Sequence, residues 1–310
     1  MKNDILALKK KLNAVILAHS YQTGDIQDVA DFVGDSLGLS QQAAKTNADV
    51  IVFCGVRFMA ETAKILNPSK LVLLPDLGAG CSLEESCPAS KLKKLQATNK
   101  NFYTVAYINC SAEVKAISDI ICTSGNAIKV VCSVPEDRDV LFVPDENLGD
   151  WVAENVARHI TLYKGNCYLH NEFKFNTIMA LKKKHPGALI LVHPESPREV
   201  RYIADHICST EGMITYCKFS KEKKFIIVTE SGIIYRLKKE CPNKEFVCVP
   251  TYDIFKMPTD NCRCNECKYM KINTLEKLYN CMLNLSPQIK LSEEIIKKAQ
   301  IPLNRMLALG

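Results

Sequence analysis

No apolar run in the 310-residue sequence approaches the roughly 20 residues of a membrane-spanning helix. The opening stretch, MKNDILALKKKLNAVIL, has scattered charges and no sustained apolar core or small-residue cleavage site. A secretory leader is therefore not expected, and a cytoplasmic location without a membrane partner is. Also missing is a basic stripe interleaved with aromatics, the mark of a nucleic-acid binder. The net charge of +6 sits in short runs, LKKK (8–11), LKKLQ (92–96), LKKKH (181–185) and KEKK (221–224). These read as solvated helix ends and turns, so no nucleic-acid partner is expected. One more absence matters. The stretch NCRCNECKYM (261–270) packs Cys262, Cys264 and Cys267 together, yet no second cysteine pair stands nearby to complete a four-ligand zinc site.

What is present is ordinary for a globular protein, with 47% apolar and 24% charged residues, except for fifteen cysteines. In a reducing compartment these do not form a disulfide framework. Cys54, Cys132, Cys217 and Cys248 lie in apolar segments and read as small buried hydrophobes.

Length alone suggests about two domains, but a repeat argues for three units. Three apolar runs end in polar residues: VILAHSYQ (15–22), TVAYINCS (104–111) and LILVHPES (189–196). Each leads into a helical pattern, IQDVADFVG, AEVKAISDI or PREVRYIADHI, and then to a hydroxyl residue, Ser36, Ser124 or Thr210. The separations are 17 residues from His19 to Ser36, 15 from Asn109 to Ser124 and 17 from His193 to Thr210. A second strand follows in each unit (VIVFCG, DVLFVPD, FIIVTES), then a helix, a third strand (KLVLLPD, ITLYKG, EFVCVP) and a cysteine. That cysteine is Cys81, Cys167 or one of the 262–267 cluster. Strands alternating with helices predict parallel sheets covered on both faces. The recurrence predicts three homologous units of roughly 90 residues.

Ligands of open α/β sheets bind beyond the carboxyl ends of the strands. If the three units face one another, His19, Asn109 and His193 meet in one cavity. So do Ser36, Ser124 and Thr210, and so do three cysteines. Three thiolates suit a soft metal or an iron–sulfur cluster. Spacing alone leaves open a second reading, in which Cys81 and Cys167 are buried thiols and 262–267 is a zinc knuckle of a binding protein. A metal-free sugar-phosphate aldolase or isomerase is a third. A lone histidine after a strand is more often structural. The matched positions of His19 and His193 argue for function, whereas His159, His185 and His206 have no such support.

The runs AHSYQ, GDSL, GCSLEESCP, YINCSAEVKA, CTSGNA, PDENLG, HNEF, HPESPREV, STEGMI and CKYM resemble the quinolinate synthase (NadA) family along essentially the whole chain. The resemblance implies an α/β fold of three α/β/α sandwich domains with pseudo-threefold symmetry around a central iron–sulfur site. The expected units are 1–82 with 285–310, 83–168, and 169–284. It implies a 4Fe–4S cluster held by Cys81, Cys167 and Cys267, leaving one iron free as a Lewis acid. It also implies a transferase that condenses iminoaspartate with dihydroxyacetone phosphate to quinolinate, phosphate and two waters, within NAD biosynthesis. Iminoaspartate would come from an L-aspartate oxidase or dehydrogenase. Many relatives carry Cys-x-x-Cys-x-x-Cys before the last ligand, where this chain has Cys262-x-Cys264-x-x-Cys267. Some carry a cysteine after HPE, where Ser196 stands here.

The expected substrate-binding residues are His19, Ser36, Tyr107, Ile108, Asn109, Ser124, His193, Pro194, Glu195, Ser209 and Thr210. Hydroxyls and helix N-termini suit carboxylates and a phosphate, and His19 and His193 can donate hydrogen bonds or carry charge toward them. Glu195, beside His193, is the candidate general base. By resemblance, Tyr21 and His170 form a second acid–base pair with Thr123 as a third member.

Overall fold

A computed structural model describes residues 1–251 and 265–309. Its framework is three parallel four-stranded sheets. The first contains β1 (Ala14–His19), β2 (Phe32–Gly34), β3 (Val50–Cys54) and β4 (Leu71–Leu73). The second contains β5 (Phe102–Tyr107), β6 (Ile120–Cys122), β7 (Asp139–Val143) and β8 (Ile160–Leu162). The third contains β9 (Leu189–Val192), β10 (His206–Ile207), β11 (Lys224–Val228) and β12 (Glu245–Cys248). The strand orders are β2-β1-β3-β4, β6-β5-β7-β8 and β10-β9-β11-β12, so one topology occurs three times.

Helices α1 (Lys2–Lys11), α2 (Gly24–Val29), α3 (Ser36–Lys45), α4 (Arg57–Leu66), α5 (Ser82–Ser86) and α6 (Ala89–Gln96) accompany the first sheet and the passage to the second. The second carries α7 (Ala112–Lys115), α8 (Ala127–Cys132) and α9 (Glu146–Asn155). The third carries α10 (Phe175–Lys184), α11 (Arg198–Arg201), α12 (Thr210–Phe219) and α13 (Ile233–Glu240). Two helices, α14 (Leu275–Asn284) and α15 (Glu293–Leu309), follow. Three of the lysine runs fall in the last turns of α1, α6 and α10, where cations offset the helix dipole.

The central strands are apolar on both faces because both faces are covered. In β1, Val15 and Leu17 enter one core cluster while Ile16 and Ala18 enter another, the two-residue alternation of a strand. Buried Cys54 and Cys217 act as small apolar residues, but Cys132 is exposed at the end of α8. The apolar segment predicted a buried thiol there, and the six-residue helix turns it outward.

Two further differences from the expected order concern the sheets. Each unit has four strands, not three. The additional ones, β2, β6 and β10, are two or three residues long and end the segments read as helix. Consequently Ser36, Ser124 and Thr210 do not close a helix. Ser36 and Thr210 are the first residues of α3 and α12, and Ser124 lies in the turn before α8. The segment 275–284, counted with the third unit, packs as α14 with Ile5 and Ile16 of the first through Leu278, Cys281 and Met282. α15 lies along α4, α7, α8 and β6 and ties the first two units together.

Candidate active site

The carboxyl ends of the sheets converge on one cavity. It is lined from the first unit by His19, Tyr21, Asp35, Ser36 and Cys81, and from the second by Tyr107, Asn109, Thr123, Ser124 and Cys167. His170, His193, Glu195, Thr210, Glu230 and Cys267 also line it. Three expected residues do not line it. Ile108 and Pro194 are buried in the chain beside it. Ser209 caps α12 and donates to Asp35 Oδ2 at 3.3 Å. Cys262 and Cys264 lie outside the described residues.

The two histidines that end β1 and follow β9 are alike in detail. His19 Nδ1 accepts the amide of Tyr21 at 3.1 Å, and His193 Nδ1 accepts that of Glu195 at 3.4 Å. An accepting Nδ1 places the ring hydrogen on Nε2. Burial lowers both imidazoles to about 3, against the opposing charge of Glu195. They are therefore neutral donors; the charged form considered from the sequence is disfavoured by desolvation. Asn109 adds an amide whose Oδ1 is buried without a hydrogen-bond partner among the described residues. An orphaned buried acceptor in a cavity is costly unless a ligand completes it.

Glu195 is the most heavily engaged group. Tyr107 donates to its Oε1, and His170 Nδ1 lies 2.8 Å from Oε2. Burial acts to raise this carboxyl, but His170 and the hydrogen bonds from His170 and Tyr107 outweigh it and hold it below the usual carboxylate range. His170 is fixed from its other side as well, with Nε2 2.8 Å from Thr229 Oγ1. Thr229 Oγ1 is in turn 2.6 Å from the Tyr21 hydroxyl, which accepts from Thr210 Oγ1 at 3.0 Å. A continuous chain thus runs Thr210, Tyr21, Thr229, His170, Glu195.

Thr123 does not join this chain. The Thr123 hydroxyl lines the cavity but donates to its own turn, to Asn126 Oδ1 at 3.1 Å. Thr229 links Tyr21 and His170 instead. It directly follows β11, the second-strand segment FIIVTES. The rule that polar residues just past a central strand line the site, applied to the second strand, finds it. Glu230 was missed likewise; it pairs with Lys271 at 2.9 Å and accepts the amide of Cys267 at 3.0 Å.

Cys81 N-caps α5 after β4, Cys167 follows β8, and Cys267 lies beyond β12. Burial, chiefly, pushes all three thiols up, and the charge of Cys267 adds to this at Cys81, as does that of Cys81 and Cys267 at Cys167. Three such thiols ionise together only around a cation, which fits a metal or iron–sulfur group held by thiolates. Cys167, His170 and Glu195 also place one ligand atom each within 4.8 Å of one another. Both nitrogens of His170 already have protein partners, so the donor set favours the three cysteines. No helix among the described residues is long and apolar enough to cross a membrane.

The family described as NadA, quinolinate synthetase A protein, matches residues 3–308. The chain is 52% identical over 306 residues to the quinolinate synthase of Microcystis aeruginosa, covering 99% of this chain and 94% of that protein. It is 53% identical over 303 residues to that of Gloeothece citriformis, covering 98% and 92%. With that of Cyanophora paradoxa the identity is 50% over 308 residues, covering 99% and 92%.

Proposed function

The chain belongs to the quinolinate synthetase A family, and from that membership we infer that it condenses iminoaspartate with dihydroxyacetone phosphate to give quinolinate, phosphate and two waters. The observation that carries this reading is the shared cavity. It combines three half-buried cysteines, two neutral histidines, an orphaned amide oxygen and a five-residue hydrogen-bond chain ending at Glu195.

Cys81, Cys167 and Cys267 would hold a 4Fe–4S cluster. When bound, it would supply Lewis-acid chemistry toward a carbonyl or hydroxyl oxygen. The rest is the work of this chain's own side chains. Nε2–H of His19 and of His193 donate to substrate carboxylate or phosphate oxygens. The hydroxyls of Ser36, Ser124 and Thr210 and the amide of Asn109 hold the remaining anionic oxygens. Tyr107 fixes one oxygen of Glu195 and His170 the other. Glu195 with His170 forms the base that takes a proton beside the substrate carbonyl. Tyr21, joined to His170 through Thr229, delivers a proton to a departing hydroxyl.

The division into units at 82 and 168 is part of this reading, with the third boundary moved from 284 to 274 so that α14 joins the first. So are a cytoplasmic setting, the supply of iminoaspartate by an L-aspartate oxidase or dehydrogenase, and a place in NAD biosynthesis. Anaerobic incubation of the iron-loaded protein with iminoaspartate and dihydroxyacetone phosphate tests it. Quinolinate and phosphate should appear in equal amounts. Full turnover after removal of iron would instead favour metal-free aldolase or isomerase chemistry.

A further inference from the structure

Asp35 is a buried carboxylate that neither the repeat nor the proton chain uses. Its Oδ1 accepts the amide of Gly38 at 3.0 Å and so caps α3, whose first residue is Ser36. Its Oδ2 accepts from Ser209 Oγ at 3.3 Å. Ser209 in turn caps α12, accepting the amide of Gly212 at 3.2 Å, and the first residue of α12 is Thr210. The amide of Glu211 also reaches Asp35. One carboxylate thus lies between the N-termini of two ten-residue helices, each of which presents a hydroxyl to the cavity.

The second unit joins the same point. A Cβ built on Gly125 would lie 3.4 Å from Ser209 Oγ and 3.7 Å from Thr123 Oγ1. The turn that carries Ser124 therefore packs directly against the Asp35–Ser209 pair. On the other side, Arg236 binds Glu211 through two bonds of 2.7 and 3.0 Å and reaches Ser20, next to His19, at 3.3 Å. Residues 209, 210 and 211 therefore contact the first unit at Asp35, at Tyr21 and, through Arg236, at Ser20.

The positive ends of α3 and α12 face each other, and two such ends repel unless an anion lies between them. Asp35 is that anion; burial raises its carboxyl, and the helix amides and the Ser209 hydroxyl oppose that rise. We propose that Asp35 is a positioning residue that, through Ser209, fixes the spacing of Ser36, Ser124 and Thr210 and thereby the affinity of the cavity for the carboxylates of substrate and product. The proposal deepens the functional reading above and rests on it.

The test uses the cluster-loaded protein under strict anaerobiosis, with quinolinate as the probe in calorimetry and kinetics measured alongside. Asp35→Asn keeps an acceptor for the Gly38 amide, so the α3 cap survives while the charged acceptor of Ser209 is lost. Ser209→Ala breaks the same bridge from the other end and carries the test if the first variant does not fold. Each should weaken quinolinate binding by about tenfold, the scale of a hydrogen bond to a charged group. KM should rise in parallel, with kcat falling far less. The double variant should be no weaker than the poorer single one, because both remove one bond. A merely structural cap would lower the melting temperature and leave KM and quinolinate affinity unmoved, and that result in an active parent overturns the proposal. Losses that multiply in the double variant overturn it too. A parent that neither makes nor binds quinolinate overturns the functional reading and this proposal with it.

Discussion

Thr229 stands between Tyr21 and His170, with its hydroxyl oxygen 2.6 Å from the phenol and 2.8 Å from the imidazole Nε2. Thr229→Val preserves the volume of the side chain and removes only the link. The cavity and the three cysteines should be unaffected, while turnover falls by about 10²–10⁴-fold, the range of a lost acid–base contribution. Single-turnover quinolinate formation at equal iron content checks this. A variant as fast as the parent would show that Tyr21 and His170 work separately.

Glu195→Gln retains an acceptor for Tyr107 but removes the charge that His170 faces. Iron content and quinolinate binding should persist, and the single-turnover rate should fall by about 10²–10⁴-fold. Near-parental rates would remove Glu195 from the chemistry and leave it as an anchor for Tyr107 and His170.

A third prediction concerns stability. Glu61, on α4, is buried, and its Oε2 accepts the amide of Ala112 at 2.8 Å. Burial raises its carboxyl to about 7, against the opposing charge of Lys115. A carboxyl raised on folding binds a proton more tightly folded than unfolded. Its contribution is fully present below the ordinary value of 4.5 and is lost as pH climbs through 7. Glu61→Gln removes that titration and keeps the acceptor. Relative to the parent, the variant should gain about 1–3 kcal/mol between pH 5 and pH 8. Anaerobic urea unfolding of both proteins at the two pH values measures it, and a pH-independent difference would contradict it.

Much of this architecture is legible in the sequence because a repeat states it three times. The long central strands and the equivalent positions of His19, Asn109 and His193 follow from apolar runs with polar ends. The short strands β2, β6 and β10 do not, since two or three residues carry no alternation to detect. That shortfall displaced Ser36 and Thr210 from helix starts to helix ends. The links made by Thr229 and Asp35 are illegible for another reason. Their partners, Tyr21 and His170 for the one and Ser209 for the other, lie in different units or far along the chain. Only the packing of the units brings them together. Choosing Cys267 from its cluster required the family resemblance, because spacing treats Cys262, Cys264 and Cys267 alike.

The central claim is that Cys81, Cys167 and Cys267 alone hold the metal centre. Iron and acid-labile sulfide per chain, measured under strict anaerobiosis in the parent and in five single alanine variants, test it most directly. The parent, Cys262→Ala and Cys264→Ala should each contain about four iron and four sulfide and show broad visible absorption. Cys81→Ala, Cys167→Ala and Cys267→Ala should lose both. A colourless Cys264→Ala beside a brown, active Cys267→Ala would contradict the assignment, as would one zinc and no sulfide in the parent.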